Sequence, residues 1–137
     1  MLLAQLNIRT YQEQDYDFIK SSWNDNLGSQ PPYNKKSFFD DNIKHLNRIM
    51  NECNSMVLTS KENENVIIAY MFWGRELYYI YVKHPFRRMG LATEMLRAAK
   101  ADIMGNKCLW WSRVCEDKQL DYNLQYKPNL FKKSKCI

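Results

Sequence analysis

Two apolar runs and the basic loop that follows them constrain this chain most. Residues 66–73 (Val-Ile-Ile-Ala-Tyr-Met-Phe-Trp) are eight apolar, β-favouring residues without interruption. Such a run fits a central strand covered on both faces, not one half-open to water. Gly74-Arg75 turns the chain, and residues 77–82 return as the next strand. An earlier strand, residues 56–59, precedes them across a polar hairpin turn at residues 61–65, which gives three successive antiparallel strands. The last strand feeds a basic loop, Lys83-His84-Pro85-Phe86-Arg87-Arg88-Met89-Gly90, and a helix opens directly after it.

That helix carries Leu91, Ala92, Met95, Leu96, Ala99 and Ile103 on one face, with Thr93, Glu94, Arg97 and Lys100 opposite, and Gly105-Asn106 ends it. A helix N-terminus has free amide N–H groups and a partial positive charge, so a phosphate can dock there. Arg87 and Arg88 stand where positive charge would face such an anion, and Gly90 lets the backbone approach it closely.

Around this unit the chain reads as one α/β (α+β) domain spanning residues 1–137. Residues 6–9 alternate as a first strand, and Thr10 is placed to cap the helix after it. Tyr16, Ile19 and Trp23, with Phe18 beside them, form a helical stripe to about residue 23. Residues 24–34 are dense in turn formers and read as a long loop. A second helix covers residues 35–53, with Phe39, Ile43, Leu46 and Met50 as its buried stripe and Asp40 and Asp41 solvated or capping. Residues 107–112 form a strand that, coming after a helix, should run parallel to residues 77–82. A short helix at 116–121, an extended stretch at 122–131 and a basic tail complete the order.

At 45% hydrophobic and 14% aromatic, the chain has the means to bury a core, which argues against disorder. Its net charge of +5 favours an anionic partner, a cofactor or a nucleic acid. The cysteines at 53, 108, 115 and 136 lack Cys-x-x-Cys spacing and stand apart from His45 and His84, so no metal site is expected. The short apolar start lacks the parts of a secretion signal, and no window reaches membrane-spanning length. Reduced thiols, no membrane association and a cytoplasmic location are the resulting expectations.

The run Arg87-Arg88-Met89-Gly90-Leu91-Ala92 resembles the Arg/Gln-x-x-Gly-x-Gly/Ala signature of the GNAT superfamily of N-acetyltransferases. Val82 and Phe86 fit the Val-x-Pro-x-Tyr-Arg form that precedes it, except that His84 takes the proline position and Pro85 comes one residue later. The element order β-α-α-β-β-β-α-β-(α)-β is similar to the GNAT plan. The resemblance implies a mixed, mostly antiparallel sheet flanked by helices, whose two central parallel strands splay apart around acetyl-coenzyme A. It implies that Arg87, Arg88, Met89, Gly90, Leu91 and Ala92 hold the pyrophosphate. It further implies that the backbone of residues 79–82, including Tyr81 and Val82, meets the pantetheine arm.

Acyl transfer to an amine needs a base for the ammonium and an acid for the departing thiolate. By the family's placement, Glu76 is the candidate base with Glu116 second, and Tyr122 the candidate acid with Tyr126 as fallback. The expected glycine of the Tyr-x-x-x-Gly-Phe stretch is missing at residues 122–126. Tyr78, Tyr79 and Tyr81 are expected to serve mainly in sheet packing, and His84 to be an exposed loop residue. The reading is an acetyl-coenzyme A-dependent N-acyltransferase acting on a small-molecule or protein amine. Two others stand beside it: a nucleobase-modifying enzyme similar to the Mom-type phage DNA modification proteins, and a non-catalytic binding module.

Overall fold

The computed structural model describes residues 2–27, 36–74, 77–99, 107–108 and 125–126. Strands β1 (Leu6–Arg9), β2 (Asn54–Ser60), β3 (Ile67–Trp73) and β4 (Leu77–Val82) form an antiparallel meander, neighbours in sequence being neighbours in space. Two short strands, β5 (Lys107–Cys108) and β6 (Gln125–Tyr126), extend it. β5 runs parallel to β4, meeting it at Leu77 and Cys108. The expected splay between them depends on residues 109–112, which lie outside the described residues. α1 (Tyr16–Leu27) and α2 (Lys36–Glu52) precede β2, and α3 (Leu91–Ala98) comes after β4. Among the described residues no helix is long and apolar enough to cross a membrane.

Every residue of β3 is buried, as the uninterrupted apolar run requires of a strand with helices on both sides. On one face Ile19 and Trp23 of α1 and Leu46, Ile49 and Met50 of α2 pack against Val57, Tyr70, Phe72, Tyr78 and Tyr79. On the other, Leu91, Ala92, Met95 and Leu96 of α3 pack against Leu58, Met71, Trp73, Leu77 and Ile80. Tyr79 pairs with Phe72 and Leu77 with Trp73, so Tyr78 is an extra residue in β4. This bulge places Tyr78 and Tyr79 on the same face and returns Leu77 to the face of Ile80 and Val82. All three β4 tyrosines thus pack toward α1 and α2. Trp23 stacks on Tyr79 at 4.3 Å, Tyr79 on Tyr70 at 5.7 Å, and Tyr70 on Tyr81 at 5.1 Å.

The start of α1 departs from the sequence expectation. Thr10 is exposed, and the capping carboxylate belongs to Asp15, which accepts the Gln12 backbone N–H at 2.9 Å. Asp15 is 3% exposed and receives both terminal nitrogens of Arg9, at 2.6 and 2.7 Å. This forked pair raises the Arg9 pKa further, the hydrogen bond outweighing burial. It ties the end of β1 to the 3-10 turn, Glu13–Asp15, that leads into α1, which a threonine hydroxyl cannot do. α1 also continues to Leu27, past the predicted end near residue 23, while residues 28–34 of the expected loop, and Lys35 at the expected start of the second helix, lie outside the described residues.

A second correction concerns the thiols. Cys53, at the corner between α2 and β2, is disulfide-bonded, so the expected reduced state does not hold for it. Spacing along the chain does not say which thiols meet in space.

Candidate functional site

The segment between β4 and α3 is built in three steps. First, the Lys83 N–H donates to the Ile68 carbonyl at 2.8 Å, carrying the β3–β4 ladder one residue beyond Val82. Next, residues His84–Phe86 form a single 3-10 turn, closed by Phe86 N–H to the Lys83 carbonyl (2.8 Å) and Arg87 N–H to the His84 carbonyl (3.2 Å). Pro85 suits the start of such a turn because its fixed φ is helical and its missing N–H has no partner to lose. Finally, Arg88 and Gly90 both take left-handed conformations, at φ 65° and 84°. Met89 between them is 53% exposed.

Gly90 stands at the N-cap of α3, and the first turn closes with Glu94 N–H donating to the Gly90 carbonyl at 3.1 Å. The N–H groups of Leu91, Ala92 and Thr93 therefore precede the first i to i−4 bond and have no partner within the helix. A Cβ built on Gly90 meets nothing within 4 Å, so the left-handed φ, not crowding, is what favours glycine here. The open space above Gly90, the helix N-terminus and the exposed side chains of Arg87, Arg88 and His84 make a basic cradle. Such a cradle fits a phosphate or diphosphate. Leu91 and Ala92 are buried side chains, so they can serve an anion only through their backbone.

Arg87 is engaged inward as well as exposed. Its Nε donates to the Val82 carbonyl at 2.7 Å, and its guanidinium lies 5.8 Å over the Tyr81 ring. The strand register shows why that carbonyl is free to accept. The Lys83–Ile68 bond makes Val82 and Ala69 a non-hydrogen-bonded pair, and such pairs alternate along an antiparallel ladder. The backbone groups of Val82 and Ile80 thus turn away from β3, toward the β5 side, whereas those of Tyr79 and Tyr81 turn to β3. Tyr81 contributes its ring to this site, and Ile80, within the 79–82 stretch expected to meet the pantetheine arm, turns its peptide edge toward the β5 side. Only strand register distinguishes odd from even residues here, and register is not written in a local motif.

Of the chemistry candidates, Glu76, Glu116 and Tyr122 lie outside the described residues. Tyr126 is on β6, where the backbone alone is described. In sequence Glu76 immediately precedes β4.

Residues 16–121 match the family model of the Acetyltransferase (GNAT) family, a span that takes in α1 through the basic cradle and beyond. No curated protein and no solved structure matches the chain.

Proposed function

Because the chain belongs to the GNAT acetyltransferase family, we propose that it is an N-acyltransferase that takes an acyl group from acetyl-coenzyme A and passes it to an amine. The observation that carries this reading is the cradle at α3: three backbone N–H groups without a partner in the helix, behind two left-handed residues and flanked by Arg87 and Arg88. A diphosphate matches it in charge and in hydrogen-bonding capacity. The outward peptide edges of Ile80 and Val82 supply a row on which an extended amide-bearing arm can pair. Bound, the cosubstrate supplies an acyl group activated as a thioester.

The chain's own share of the chemistry is proton management. Glu76 would take a proton from the acceptor ammonium, freeing the lone pair that forms the new N–C bond. Tyr122 would give a proton to the sulfur as the C–S bond breaks. Both roles come from where the family places such groups. Calorimetry with coenzyme A tests the reading. Saturable one-to-one binding is expected, and no binding leaves the non-catalytic module as the better account. The acceptor is then sought by offering small amines, protein amines and DNA with labelled acetyl-coenzyme A.

A further inference from the structure

Building on the acyltransferase reading, we propose that Arg87 is a positioning residue that locks the diphosphate cradle to the β4 edge, so that one side chain aligns both halves of an extended ligand. Its Nε bond to the Val82 carbonyl reaches back five positions, from the cradle to the end of the strand. The seat beneath its guanidinium is itself fixed. Tyr81 stacks on fully buried Tyr70 at 5.1 Å and takes the edge of Phe18 at 6.1 Å. Arginine presents five N–H donors in one rigid plane. With Nε committed to Val82, the terminal nitrogens keep a direction set by strand and ring, and they remain able to meet an anion. The same bond fixes the outward peptide of Val82, where the arm would begin to pair. A lysine can supply the charge at either place but cannot bridge both, because its ammonium is a point donor on a flexible stem.

The test compares two ligands that share a diphosphate: ADP, which has no pantetheine arm, and coenzyme A, which has one. Calorimetry is run on the unaltered protein, Arg87→Lys, Tyr81→Leu and Tyr81→Phe, with thermal melts to establish folding. Arg87→Lys should hold ADP within roughly threefold of the unaltered protein. It should lose roughly tenfold in coenzyme A affinity, the scale of one charge-assisted hydrogen bond. Tyr81→Leu should show the same selective loss, and Tyr81→Phe, which keeps the ring, should restore coenzyme A binding. Equal losses for both ligands would mean that Arg87 acts on the phosphates alone or on the fold as a whole, and would overturn the proposal. So would an unchanged affinity for both. If the unaltered protein binds neither ligand, the acyltransferase reading fails first and this inference goes with it.

Discussion

Arg88 holds φ 65°, a conformation that costs an ordinary L-residue about 1 kcal/mol and glycine almost nothing. The guanidinium that this residue carries is exposed at the rim of the cradle. Arg88→Gly should therefore keep the loop and raise the unfolding free energy by up to about 1 kcal/mol. It should also weaken coenzyme A binding several-fold and reduce its salt dependence, since one phosphate-facing charge is gone. Urea unfolding and calorimetry at two ionic strengths read both effects. A loss of stability would show that Arg88 makes contacts worth more than its strain. The glycine and the two arginines were legible in the sequence because charge and missing Cβ are local properties. The handedness of Arg88 was not, because it depends on how α3 docks against the sheet. The proton-transfer pair makes a separate residue-scale prediction. Glu76→Gln and Tyr122→Phe should each slow turnover on the order of a hundred- to ten-thousand-fold while leaving coenzyme A affinity nearly intact. Unaltered rates in both, with an identified acceptor, would move the test to Glu116 and Tyr126.

Among the elements, β1, β3 and β4 emerged close to their expected bounds because alternation and unbroken apolar runs report burial directly. α1 ran longer than expected because Asn24, Asp25 and Asn26 read as turn formers, yet they prolong a helix already anchored by Ile19 and Trp23. The β4 bulge was invisible, since nothing in three near-consecutive tyrosines marks which one is extra. The joint between α1 and the sheet is a hydroxyl pair: Tyr70 lies 2.8 Å from Ser22 Oγ and donates to the Ile19 carbonyl at 3.3 Å. Burial, reinforced by Tyr79, pushes the Tyr70 phenol well above its usual value. A raised folded-state pKa gives stability that is fully present below the unfolded tyrosine pKa of about 10 and is lost as pH climbs above it. Unfolding free energy should thus fall steeply above about pH 10. Tyr70→Phe should cost about 1 kcal/mol at neutral pH through its lost hydrogen bonds and flatten the alkaline decline. An equally steep decline in that variant would place the titrating group elsewhere.

At the scale of the whole molecule, the meander of β2, β3 and β4 was readable because its partners are close in sequence, whereas the pairing of β1 with β2 across two helices, and the division of α1 and α2 from α3 between the two faces, were not. Nor were other links between distant segments. The plainest case is the disulfide of Cys53 at the α2–β2 corner; the other cysteines of the sequence, Cys108, Cys115 and Cys136, all come after α3 in the chain. Each pairing closes a loop of roughly fifty residues or more, and cross-linking a loop of that size removes unfolded-state entropy worth about 4 kcal/mol in the chain-entropy account, with typical measured values of about 2–4. For a chain of 137 residues this corresponds to a fall in melting temperature on the order of 10 °C when the bond is cut. Dithiothreitol and Cys53→Ser should each produce that fall, and the reductant should have no further effect on the variant. Peptide mapping without reduction should recover a peptide containing Cys53 linked to one from the C-terminal third. The cradle at α3 has no direct share in this bond, so coenzyme A affinity measured well below the melting temperature should survive reduction. A large loss of affinity at full folding would mean that the C-terminal third, held by the disulfide, completes the cofactor's seat.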